Sequence, residues 1–278
     1  MNKTITRTLT LTFLLATIAI AALATPVEAI TNGEPDAGRH PYVVLVVADN
    51  APGQPAWRGT GILLSPTVVL TAGHVTDGAV ACRIWTYEDV TYNTVPFPLY
   101  PYGGLGSGAI EGTPYKHPNY AMGNFPGLPG WLVYDVGIIV LNEPVTGVNT
   151  YGELPSAGFT ETLKVMTDID FVGYGVQVNL RGGGTPVWSG PRVRMYAPGK
   201  LLSTKSAISN LFITCTANPA QGKGGTAFGD SGGPALLGGT DIVLAVTSFG
   251  TNNNCAGTGY YARIDKPEIL SWINSFPT

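Results

Sequence analysis

From Tyr42 onward, short apolar and β-branched runs alternate with Gly, Pro and Asn punctuation. The pattern predicts strands at Tyr42–Val47, Gly61–Leu64, Val68–Thr71, Val136–Leu141, Asp170–Gly173, Leu211–Thr214 and Ile242–Ser248. Turn-forming stretches at Asn50–Pro55, Tyr102–Ser107 and Arg181–Pro186 separate them. Strands at this density, with no amphipathic helices between them, predict an all-β sandwich or a pair of barrels rather than a βαβ fold. One helix is marked, at about 266–275. Asp265 is placed to cap it, Glu268 to complete a capping box, and Pro267 to occupy its first turn. The Gly/Pro/Tyr-rich stretch from Val95 to Pro129 reads as loops.

Composition narrows this picture. Charged residues make up only 12% of the 278, with 37 Gly and 22 Pro, a mix that favours turns and short strands over exposed helices. The net charge of −3 and the scattered Lys and Arg leave no basic footprint for nucleic acid or an anionic membrane. Residues 1–29 read as an export signal. Lys3 and Arg7 precede a largely apolar Leu11–Leu23, and Val27-Glu28-Ala29 offers a small-x-small cleavage site. The competing reading is an uncleaved anchor, since residues 8–27 come close to spanning a bilayer. Three cysteines, Cys82, Cys215 and Cys255, permit at most one intramolecular disulfide. No zinc-type spacing is present, so a metal site has no support.

The chemistry concentrates in Gly229-Asp230-Ser231-Gly232-Gly233-Pro234. A serine hydroxyl is a poor nucleophile and needs a base, an orienter for that base and donors for an oxyanion. Glycines around it let backbone N–H groups approach a substrate carbonyl. The same residues also fit Gly-x-Ser-x-Gly, the elbow of α/β-hydrolases. That fold places its histidine after the serine, whereas His40, His74 and His117 all precede Ser231. An aspartate inside the apolar run Trp131–Leu141 would be buried and in need of strong partners, which marks Asp135.

The order His, Asp, Ser resembles the chymotrypsin–trypsin family over nearly all of residues 30–276. Thr71-Ala72-Gly73-His74, Tyr134-Asp135-Val136-Gly137-Ile138, His117-Pro118-Asn119-Tyr120, Phe171-Val172-Gly173-Tyr174-Gly175 and Ser248-Phe249-Gly250 are each similar to a family segment, in family order. The resemblance implies two antiparallel six-stranded β-barrels, at 30–152 and 153–278, with a short C-terminal helix. It implies a serine endopeptidase with His74 as base, Asp135 as its orienter, Ser231 as nucleophile, and the N–H groups of Gly229 and Ser231 as the oxyanion hole. Ser248 would add a second hydrogen bond to Asp135. Ile30-Thr31-Asn32-Gly33 is similar to the family's mature start, so Ile30 would carry an ammonium that pairs with Asp230. Signal cleavage after Ala29 would then create the active, secreted chain directly; cleavage after Ala24 would leave Thr25–Ala29 as a propeptide.

The resemblance also places a specificity pocket at Gly225, Thr226, Ser248, Phe249, Gly250 and Gly259. Without a carboxylate at Gly225 it would favour aromatic or large aliphatic side chains before the scissile bond. Cys255 falls at one end of a disulfide common in the family, and Ala227 stands at the other end. Cys255 is therefore free, or paired with Cys215 or Cys82. The implied partners are protein or peptide substrates and protein inhibitors, met by a monomer that uses no cofactor or metal, binds no nucleic acid and leaves the membrane once the signal is cut. A catalytically inactive homologue, binding proteins through the same cleft, is the alternative reading.

Overall fold

The computed structural model describes residues 30, 33–90, 109–125, 128–176, 178–179, 188–189, 192–206, 208–217 and 224–277. The expected turns at Tyr102–Ser107 and Arg181–Pro186 and the segment before Ile30 lie outside the described residues.

A two-residue strand, β1 (Glu34–Pro35), precedes the first barrel. That barrel is formed by β2 (Val43–Ala51), β3 (Gln54–Leu63), β4 (Val68–Thr71), β5 (Ala81–Trp85), β6 (Ile110–Lys116) and β9 (Gly137–Leu141), closed in the order β2-β3-β4-β9-β6-β5. A separate hairpin, β7 (Ala121–Phe125) and β8 (Leu128–Val133), precedes β9. A small ladder, β11 (Val178–Asn179) with β12 (Trp188–Ser189), follows β10 (Asp168–Gly173). With β13 (Met195–Ser203), β14 (Phe212–Ala217), β15 (Pro234–Leu237), β16 (Val243–Gly250) and β17 (Gly257–Arg263), β10 forms the second barrel. Its order is β13-β10-β15-β16-β17-β14, and β13 pairs with β14 to close the ring, while β1 extends β13. Closure leaves neither barrel a free edge. Among the described residues, the helical segments are α1 (Gly73–Thr76), α2 (Pro267–Ile273) and a 3-10 turn (Phe159–Thr162).

Each barrel is filled by inward-facing apolar side chains. Ile169, Phe171, Ile213, Leu244 and Tyr261 pack in the second, with Phe171 stacked on Tyr261 at 5.0 Å between ring centroids. In β14 the side chains divide by parity: Ile213 and Cys215 enter this core, while Phe212 joins the cluster between the barrels. β2 is buried at every position from Val43 to Ala48. Its run is continuously apolar because one face fills its own barrel and the other meets the second barrel.

All seven expected strands are present, most of them longer than the apolar runs suggested. The stretch from Val95 to Pro129, read as loops, instead contains β6, β7 and the start of β8. The capping box at the last helix is also overturned. Lys266, not Asp265, is the N-cap residue, and it makes no side-chain cap. Asp265 is buried because its carboxylate accepts Arg263 Nε at 2.8 Å, Arg263 Nη2 at 2.9 Å and Thr160 N–H at 2.8 Å. A fully buried guanidinium claims that carboxylate ahead of a helix end.

A buried polar knot ties the barrels to the chain ahead of them. Asp36 accepts His40 Nδ1 at 2.5 Å, His40 N–H at 2.9 Å and Arg194 Nε at 2.9 Å. Arg194, just ahead of β13, also donates from Nη1 to Val43 O of β2 at 3.0 Å. Burial raises the proton affinity of Asp36, but the His40 bonds and the Arg194 charge more than reverse this and hold its carboxyl below the usual range. Asp36→Ala would strand the buried guanidinium and lower the unfolding free energy by about 3 kcal/mol. Urea denaturation reads the loss; a variant as stable as the parent would contradict it.

Candidate active site

β4 ends at Thr71, and after Ala72 the chain turns into α1, which carries His74. Thr71 pairs with Gly137 at the start of β9, bringing His74 beside Asp135. The approach is close: a Cβ on Gly137 would lie 2.7 Å from both Ala72 O and Thr76 Oγ1, so no larger residue fits there.

The Asp135 carboxylate is fully buried and accepts three hydrogen bonds. His74 N–H donates to Oδ1 at 2.7 Å, His74 Nδ1 lies 2.8 Å from Oδ2, and Ser248 Oγ donates to Oδ2 at 2.5 Å. A carboxylate only accepts, so this geometry puts the imidazole proton on Nδ1 and leaves Nε2 with its lone pair. Burial works to depress the His74 pKa, but the charge and hydrogen bond of Asp135 prevail and raise it above 6.5.

Ser231 sits in the loop before β15, and both barrels hold that loop. Thr60 of β3 donates its N–H to Ser231 O at 2.8 Å and its hydroxyl to Gly229 O at 2.9 Å. Gly232 N–H donates to Thr247 O of β16, and Thr247 N–H returns a bond to Gly233 O, both at 2.8 Å. Within the loop, Asp230 N–H bonds Ala227 O and Gly233 N–H bonds Asp230 O. Among the described residues, the N–H groups of Gly229 and Ser231 have no such partner. Neither donor is spent in the loop's own network. Gly229 adopts φ +97°, and a Cβ there would meet Arg58 Nε at 2.8 Å.

His74 and Ser231 together line two hollows. One, of about 430 Å³, includes Thr226, Ala227, Phe228, Thr247, Ser248, Phe249, Gly250 and Cys255. The other, of about 580 Å³, includes Trp57, Arg58, Asp77, Val176, Phe228 and Gly229. The structure thus gathers His74, Ser231, Thr226, Ser248, Phe249 and Gly250 at one cleft. Gly225 and Gly259 are not part of its lining: a Cβ on Gly225 would meet Ala217 Cβ at 2.5 Å, and one on Gly259 the Tyr261 hydroxyl at 2.7 Å. The Thr226 hydroxyl lies 3.1 Å from the Tyr261 hydroxyl. A Cβ on Gly250 would meet only Asn252 O, at 4.0 Å.

Cys82, Cys215 and Cys255 are all free. Burial pushes the Cys82 thiol up to about 12 and Cys255 to about 11. Sequence reasoning missed Thr60, which stitches the serine loop to β3. It also missed Arg58 and Phe228, which line the second hollow. Spacing alone offered no signal for them, because their roles arise from the meeting of distant strands.

Asp230 and Ile30 are both fully buried, and the Ile30 side chain packs in the core of the second barrel. Asp230 accepts the N–H groups of Gly175 and Ala227, each at 2.8 Å. Burial raises its pKa to about 7 against the lowering effect of those bonds and of Arg58. In the uncut chain, residue 30 carries a peptide nitrogen and no charge. The folded state then holds the Asp230 proton more tightly than the unfolded one between 3.8 and about 7. Stability present below that window is lost as pH rises through about 7. A chain kept uncut before Ile30 should melt lower at pH 8 than at pH 5, and Asp230→Asn should flatten that slope. An unchanged slope in the variant would contradict the assignment.

The family model for trypsin matches residues 30–273. No curated protein matches the chain by sequence. Among solved structures, HL collagenase is 17% identical with a TM-score of 0.65, over 90% of this chain and 97% of that one. Vibrio cholerae VesB protease is 18% identical with a TM-score of 0.59, over 90% and 67%. Human heparin binding protein is 14% identical with a TM-score of 0.59, over 88% and 95%. At these identities the likeness shows the fold alone.

Proposed function

The chain belongs to the trypsin family of serine proteases, and from that premise we propose that it is a secreted endopeptidase working through His74, Asp135 and Ser231. Ser231 Oγ attacks the carbonyl carbon of the scissile bond as His74 Nε2 takes its proton. The oxyanion that forms is met by the N–H groups of Gly229 and Ser231. His74 then gives the proton to the leaving amine, and the acyl group stays on Ser231 until water, deprotonated by His74, releases it. Asp135 keeps the proton of neutral His74 on Nδ1 and stabilises the imidazolium between these transfers. The observation that carries this reading is the grip of buried Asp135 on His74, at the wall of the cleft that Ser231 shares.

Substrates are proteins or peptides. Among its described residues the first hollow is lined by no Asp, Glu, Lys or Arg, which supports uncharged P1 residues, aromatic or large aliphatic. We assign the mature N-terminus to Ile30, released after Ala29, with its ammonium pairing with Asp230. The burial of Ile30 and Asp230 supports this pairing. The cut site and the preceding segment lie outside the described residues.

A fluorophosphonate probe should label the secreted protein, and Ser231→Ala should abolish labelling and lower kcat by on the order of 10⁴-fold or more. Labelling retained in the variant would refute the nucleophile, and a wild type that takes no label would favour the inactive, protein-binding homologue. Because His74 must be neutral to accept a proton, kcat/KM should fall as pH drops, with its midpoint above 6.5. A midpoint below 6.5 in the pH–rate profile would contradict the part given to Asp135.

A further inference from the structure

The first hollow, of about 430 Å³, is walled in part by His74 and Ser231, so a side chain that fills it lies beside the reacting atoms. Ala227, Phe228 and Phe249 give it apolar faces, while Thr226, Thr247, Ser248 and Asn252 give it polar ones. Three of those four polar side chains are already engaged. Ser248 Oγ donates to Asp135 Oδ2 at 2.5 Å. The Thr226 hydroxyl lies 3.1 Å from the Tyr261 hydroxyl. Asn252 ties its own loop, donating from Nδ2 to Ala256 O at 2.7 Å and accepting Asn254 N–H at 3.1 Å.

Thr247 differs from these. The residue is only 6% exposed, and its hydroxyl is buried with no hydrogen-bond partner among the described residues. Its position is fixed: Gly232 N–H donates to Thr247 O and Thr247 N–H donates to Gly233 O, which straps β16 to the loop that carries Ser231. Across the sheet Thr247 pairs with Tyr261 of β17, the residue whose hydroxyl meets Thr226. A buried hydroxyl without a partner costs stability. Valine has nearly the same shape, suits a strand as well, and would occupy the place without that cost. The hydroxyl can both donate and accept, so a ligand that reaches it recovers a bond the folded chain lacks.

We propose that Thr247 is a specificity-determining residue whose hydroxyl selects a substrate side chain bearing a neutral hydrogen-bonding group over an apolar side chain of similar size. The inference deepens the endopeptidase reading and rests on it. Two side chains supply that chemistry at a size the hollow admits, the phenol of Tyr and the primary amide of Gln. Either would pair the hydroxyl on binding, whereas Phe or Met would leave it orphaned, and a site built around a buried polar group discriminates against ligands that leave it so.

Internally quenched peptides in which one residue at a time, at each of the two positions on either side of the scissile bond, is Tyr, Phe, Gln or Met test it. At one position the polar member of at least one pair, Tyr against Phe or Gln against Met, should exceed its mate in kcat/KM by about ten-fold. The pair that shows the preference tells a phenol from an amide. Thr247→Val should bring that ratio to about one without lowering the Tm, and Thr247→Ser should keep the preference. Each ratio is taken within one protein, so a general loss of activity does not mimic the result. If Thr247→Val fails to fold, Thr247→Ala should abolish the preference in the same way. Equal rates within both pairs at every position, or faster cleavage of the apolar members, would overturn the proposal and leave the endopeptidase reading intact. A preference that Thr247→Val or Thr247→Ala leaves unchanged would overturn the assignment to Thr247. Failure to cleave any peptide would sink the endopeptidase reading, and this inference with it.

Discussion

The buried carboxylate of Asp135 is the constraint on which the cleft depends. A charge with no exposure is costly unless every oxygen finds a donor. Its donors come from both barrels: His74 from α1 of the first and Ser248 from β16 of the second. Those bonds form together only when the barrels meet in one register. Burial of the charge thus sets the imidazole's tautomer and helps to fix the relation of the two halves.

Two more buried aspartates extend the same logic along the junction. Asp36 gathers Arg194 and His40, fastening the segment after Ile30 to both barrels. Asp230 hangs from the N–H groups of Gly175 and Ala227, fixing the serine loop from below while Thr60 and Thr247 hold it from either side. Carboxylates buried one by one would each destabilise the fold. Supplied with donors from separate segments, each instead specifies where one segment lies. Asp230 differs from Asp36, which accepts from a guanidinium: its donors are backbone N–H groups, and burial dominates and raises its pKa to about 7.

Much of this was legible in the chain. Val68–Thr71 stands at the predicted bounds because its run is β-branched, buried on both sides and flanked by turn residues. His74, Asp135, Ser231 and Ser248 were singled out because their motifs have characteristic neighbours, and the fold brings these residues together. Strands β6, β7 and β8 were missed because Gly, Pro and Tyr hide a period of two, and pairing rather than propensity decides them. Asp265 was misread as a cap because nothing local announces that Arg263 folds back on it. Gly225 and Gly259 were expected among the residues of the specificity pocket. The space in front of each is filled by Ala217 and Tyr261, and only the tertiary fold brings those residues there.

The account turns on the state that Asp135 imposes on His74, and nitrogen NMR of the imidazole reads that state directly. Selective labelling of histidine, with the His40 and His117 signals assigned by substitution, isolates the His74 resonances. At a pH where His74 is neutral, the account predicts a proton on Nδ1 and a bare Nε2. A neutral His74 protonated on Nε2 would contradict it.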